Sequence, residues 1–174
     1  MRADQAIDSP EQMAAAYQAE MRRLLDAVER IPSELLAAPI HGDWTVKEVL
    51  AHLAGWDRAV AGSADDVLAL RPARLTDMHL EDVNTDVVDS HRGSPLELVR
   101  RELMEAHQGL LNRLAGYSLE QWRTAVPGRA WSDGRPMTLA SVFANRYRDL
   151  THYGGHAEEI EMWLGVHPLT PGHP

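Results

Sequence analysis

Four long stretches of this chain place apolar side chains three and four residues apart, and each stretch is bounded by proline or glycine. That period fits one face of an α-helix and no face of a strand. The first stretch opens at Ser9-Pro10-Glu11, where Ser9 can cap, Pro10 suits the first helical position and Gln12 completes a capping box. Met13, Tyr17, Met21, Leu24, Leu25 and Val28 line its inner face, and Ile31-Pro32 ends it after Arg30. The second, capped by Asp43 or Thr45, carries Val46, Val49, Leu50, Leu53 and Val60 and is expected to stop at Gly62-Ser63. The third starts at a capping-box pattern, Ser94-Pro95-Leu96-Glu97, and runs to about Ala115. The fourth spans about Thr138 to Leu164 and closes at Gly165 and Pro168. Between the second and third, only a short helix near residues 80–90 is indicated. Residues 117–136, with Pro127-Gly128, Asp133-Gly134 and Arg135-Pro136, read as a loop or loose hairpin pinned by Trp122 and Trp131. The pattern predicts an all-α fold, a four-helix bundle forming a single domain over residues 1–174.

Charge and composition narrow the function classes. With 26 acidic and 17 basic side chains the net charge is -9. An acidic surface repels phosphate backbones, so a nucleic-acid partner is not expected. No apolar run has the length of a membrane span and Met1-Arg2-Ala3-Asp4 lacks a signal-peptide core, so the reading is a cytoplasmic protein without a membrane partner. Cysteine is absent. That removes thiolate nucleophiles, disulfides and cysteine-ligated zinc, and leaves histidine and carboxylates as the available metal ligands.

The chemistry most open to such a chain sits in His152-Tyr153-Gly154-Gly155-His156, because residues four apart share a helix face and can turn two imidazoles to one ion. His52, flanking the apolar stripe of the second helix, is the best third ligand. Of the remaining histidines, His107 reads as a core residue and His41, His79, His91, His167 and His173 as loop or tail positions. Two charges fall within apolar stripes, Asp57 and Arg146, and an ion pair between them would hold the second and last helices in register. Trp56, one turn from His52, and Tyr153 can wall a pocket, and Asn145 or Asp149 can orient an imidazole. The acidic run Glu158, Glu159, Glu161 reads as a solvated face, and Asp65-Asp66 as a solvated pair beyond a helix end. Glycine-rich phosphate loops, nucleophile elbows, zincin motifs and calcium loops are all missing.

The stretch Asp43-Trp44-Thr45-Val46-Lys47-Glu48-Val49-Leu50-Ala51-His52-Leu53-Ala54-Gly55-Trp56-Asp57 resembles the second-helix signature of the DinB-like (DinB/YfiT) superfamily. Tyr147-Arg148-Asp149-Leu150-Thr151-His152-Tyr153-Gly154-Gly155-His156-Ala157-Glu158-Glu159-Ile160 resembles its closing helix. The resemblance implies an up-down-down-up bundle, a three-histidine divalent metal site and often a homodimer. By position the ligands are His52, His152 and His156. Zinc or nickel is favoured, with iron or manganese open to the same ligand set. Some members are similar to thiol-dependent S-transferases, so an external low-molecular-weight thiol is a further cofactor candidate. Others resemble a self-protection branch whose relatives often carry asparagine near Asn84, which adds Asn84 to Trp56 and Tyr153 as candidate substrate contacts. The expected function is a metal-dependent hydrolase or thiol S-transferase acting on a small molecule. The alternative is a binding or sequestration protein in which the metal is structural or absent.

Overall fold

The computed structural model describes residues 7–144 and 152–166, with the side chains of residues 80–83 left aside. Among the described residues the α-helices are α1 (Pro10–Glu29), α2 (Val46–Leu68), α3 (Leu80–Ser90), α4 (Leu96–Gly116), α5 (Leu119–Arg123), α6 (Leu139–Phe143) and α7 (His152–Val166), and turns and loops join them. α1 starts at Pro10 as the sequence predicts, with Ser9 accepting the Gln12 backbone N–H. The expected capping box does not close, because the Gln12 side chain accepts the N–H of Asp8 instead of that of Ser9. No helix among the described residues is long and apolar enough to cross a membrane.

Side-chain pairs fix the direction of each long helix. Arg58 bonds Glu102 and Asp65 bonds Arg113, so α2 and α4 run parallel. Tyr17 packs on Tyr153 and Arg23 bonds Glu161, so α1 and α7 also run parallel. Tyr17 meets His107 while Glu29 meets Arg100, which sets α1 against α4. The order is therefore up-down-down-up. Parallel neighbours need a crossover, and the connection from α2 to α4, which contains α3, returns the chain to the starting end. Met13, Leu24, Leu50, Leu53, Leu103, Leu110 and Ile160 fill the space between the four long helices and are fully buried. Trp122 of α5 packs on Phe143 of α6, with ring centroids 5.7 Å apart, alongside this core.

The structure corrects several boundaries. α2 continues past Gly62-Ser63 to Leu68 because both residues are used in packing. A Cβ on Gly62 would stand 2.7 Å from the Arg74 guanidinium, and the buried Ser63 hydroxyl accepts the Leu75 N–H. Asp66 is not a solvated residue beyond a helix end. It lies within α2, buried, where Arg74 and Arg71 donate to its carboxylate and hold it well below the usual carboxylate range. Ser94 forms no capping box, and Pro95 stands at the cap of α4 without a side-chain hydrogen bond. Part of the expected loop winds into α5, capped reciprocally by Ser118 and Gln121. α6 and α7 cover the two ends of the helix predicted over 138–164. Residues 145–151 between them, and with them Asn145, Arg146 and Asp149, lie outside the described residues.

α3 is held on α2 through a glycine contact. A Cβ at Gly55 would fall 2.7 Å from Cγ2 of Val87. Gly55→Ala is therefore expected to cost about 1–3 kcal/mol by overpacking, read as a lower urea midpoint at unchanged slope. An unchanged midpoint would mean that α3 shifts freely.

Candidate metal centre

The site is prepared by the turn that precedes α2. Trp44 N–H donates to the carbonyl of His41, and Gly42 takes a φ of +56°, which glycine adopts at little cost. Thr45 then starts α2, its N–H bonded at 2.7 Å to the Glu48 carboxylate. Two turns on, His52 reaches the inner side of α2, where it meets His152 and His156 from successive turns of α7. His52 Nε2 and His152 Nε2 are 3.1 Å apart. One ring nitrogen from each of the three histidines lies within 4.8 Å of the others, so the group can hold a metal ion. His52 is 5% exposed and His156 7%.

Burial governs the charge state of these rings. It pushes His52 down to about 3, helped by His152 and His156, while a polar contact from Asn84 opposes the shift. Burial likewise takes His152 to about 3, with His156 and His41 contributing, and lowers His156 against the opposing pull of Glu159. All three imidazoles are thus neutral at pH 7 and present lone pairs, the form that ligates metals.

Around the histidines stand residues that the sequence marked and others that it did not. The Trp56 ring lies 6.2 Å from His52 and 6.0 Å from His152, and its indole N–H donates to Asn84 at 3.0 Å. Trp56 and Asn84 are therefore together beside the cluster. Tyr153 is buried, and its hydroxyl donates to Asp57 at 2.5 Å while standing 3.1 Å from His107 Nδ1. This chain joins α2, α4 and α7 in the bundle interior. Asp57 thus meets Tyr153, and the Arg146 half of the expected ion pair lies outside the described residues. Burial raises Asp57 to about 7. Asp57 also lines a cleft of about 450 Å³ between α2 and α4, which none of the three clustered histidines lines.

Sequence reading missed Trp44, whose ring is 5.0 Å from that of His52, and it placed His41 and Glu159 outside the site. Glu159 reaches His156 Nδ1 at 2.8 Å with one oxygen and His41 Nδ1 at 3.1 Å with the other. The available signal was the spacing of Glu159, three residues beyond His156 and so on the same helix face. Nothing local marked His41, because the turn alone brings it to α7.

The sequence model of the DinB superfamily matches residues 16–160. No curated protein matches the chain significantly. Solved structures share the fold. An uncharacterised protein from Escherichia coli UTI89 superposes with a TM-score of 0.71 at 15% identity, over 94% of this chain and 96% of that one. The colibactin self-resistance protein ClbS, in complex with a dsDNA, gives 0.71 at 16% identity, over 92% and 98%. The Sibling Lethal Factor precursor DfsB gives 0.73 at 19% identity, over 93% and 98%. The ClbS complex overturns the exclusion of nucleic acid drawn from net charge. A net charge sums the whole surface, whereas a duplex touches one face, so the overall sign does not decide what a protein of this fold binds. The match over residues 16–160, together with the shared helical fold, makes the chain a member of the DinB superfamily.

Proposed function

We propose that His52, His152 and His156 hold one divalent transition metal and that the chain is a metal-dependent enzyme, a hydrolase or a thiol S-transferase. The observation that carries this reading is the convergence of three neutral imidazoles from α2 and α7, those of His52 and His156 buried and that of His152 half-buried. The residues fit the ion. Two nitrogens bound at about 2.0–2.1 Å in a tetrahedral shell stand about 3.3 Å apart, close to the 3.1 Å between His52 and His152. Imidazole donors suit zinc and nickel as well as iron, and zinc or nickel is the expected occupant. Bound there, the ion supplies Lewis acidity, which favours deprotonation of a water or thiol at neutral pH.

The chain's own residues do the rest. Trp44 and Trp56 wall the cluster, and Asn84 fixes the indole of Trp56. These rings limit the approach of water and offer an apolar surface to whatever enters. Since the chain has no cysteine, a thiol would come from outside.

Mass-spectrometric metal analysis of untagged protein, purified without added metal or chelator, tests the reading. About one equivalent in the wild type and none in His156→Ala is the expected result. No metal in either, with no uptake on titration, overturns it. That outcome favours the second reading, a binding or sequestration protein of the self-protection type, which is supported by the fold shared with the self-resistance protein ClbS.

A further inference from the structure

We propose that Glu159 is the positioning residue of the histidine centre and that His41 is its anchor, one carboxylate fixing the His156 ring and clasping the 41–44 turn beside the cluster. The inference rests on the metal reading above and assigns roles to two residues outside the triad.

An ionised carboxylate can only accept hydrogen bonds. Glu159 lies 2.8 Å from His156 Nδ1 through Oε2 and 3.1 Å from His41 Nδ1 through Oε1, so both Nδ1 atoms carry hydrogen. A neutral imidazole has one N–H. With that hydrogen on Nδ1, His156 keeps Nε2 as a bare lone pair, the atom needed beside His52 and His152. The rings of those two stand 5.3 and 5.0 Å away. Histidine ligands generally give their second N–H to a carboxylate or carbonyl, which fixes the ring and raises its basicity.

The second oxygen ties the ring to the chain before α2. His41 packs edge-on against His156, with centroids 5.6 Å apart, and lies 5.5 Å from Trp44, whose ring is 5.0 Å from His52. Glu159 therefore links α7, the turn and, through Trp44, the start of α2. His41, His156 and Glu159 also form a group that can hold a cation of its own. The 2.8 Å contact to His156 Nδ1 is shorter than the separation of about 3.3 Å expected of two donors on one ion, and each carboxylate oxygen has its own ring partner, which favours the positioning role.

Two measurements test this. The first is the ¹⁵N spectrum of the imidazoles in metal-free protein at pH 8. His156 is expected to be protonated at Nδ1 in the wild type and in Glu159→Gln, whose amide oxygen still accepts, and to become a tautomer mixture in Glu159→Ala. The second is zinc affinity by competition with a chromophoric chelator, with folding checked by circular dichroism. Glu159→Ala is expected to lose about 10–100-fold, Glu159→Gln to recover most of that loss, and His41→Ala to lose less than Glu159→Ala, all at one equivalent. A wild type that binds one equivalent, with Glu159→Ala unchanged in affinity and tautomer, overturns the proposal. So does a second equivalent that disappears in Glu159→Ala, because the group would then be an ion site. If the wild type takes up no zinc, the metal reading fails, and the tautomer result alone decides the role of Glu159.

Discussion

Tyr153→Phe is expected to destabilise the protein by about 2–4 kcal/mol at pH 8, a large loss for one hydroxyl. That hydroxyl donates to Asp57, a carboxyl group 5% exposed in the bundle interior. Without it, the ionised carboxylate remains buried with a donor removed. Burial raises Asp57 to about 7, so at pH 5 it is protonated and the same substitution is expected to cost about 1 kcal/mol. The sign for Asp57 itself follows. Its folded value exceeds its unfolded one, so the group lowers stability as pH rises from about 4 through 7. Asp57→Asn, which still accepts from Tyr153, removes that slope and is expected to raise stability at pH 8 by about 2 kcal/mol. Urea midpoints at pH 5 and 8 for the two single variants and the double variant give the coupling. Equal losses at both pH values and in both backgrounds would show that the hydroxyl contributes packing alone.

Acidification of the metal-free protein is the second large effect. Burial pushes His52 and His152 down to about 3 and His107 to about 4, against an unfolded value near 6.5. Each ring takes a proton more readily once unfolded. Their stabilising contribution is complete above pH 6.5 and is lost as pH falls toward 4. Asp57 works in the opposite direction over much of that window and offsets about one of the three. The expected net loss between pH 7.5 and 4.5 is about 2–5 kcal/mol. Chemical denaturation at closely spaced pH values measures it. A flat profile through this range would mean that the rings are hydrated well enough to hold their protons inside the fold.

What the sequence revealed depended on how local the cause was. The three-and-four spacing of Met13, Tyr17, Met21 and Leu24 located α1 because a helix face is a local pattern. His152 and His156 were legible for the same reason, being one turn apart. The end of α2 was misread because Gly62-Ser63 is a stop signal only when nothing packs on it, and Arg74 and Leu75 come from a later segment. Asp66 was misread likewise, since its arginines approach after the chain has turned back. His41 was passed over because its partners are on α7, more than a hundred residues away. The inference from net charge failed for a different reason, because a total carries no information about its distribution over faces.

The up-down-down-up order has a consequence for assembly in time. His52 and His152 are separated by 100 positions and stand on the second and the last long helices, so they meet only when α7 packs beside α2. Loop closure over such a distance is among the slower and entropically costlier steps of folding. During synthesis, α1, α2 and α4 emerge well before α7, so the pocket for the last helix exposes apolar surface until then. The histidine cluster is thus completed late, and a chain halted before His156 would have much of the scaffold and none of the finished site.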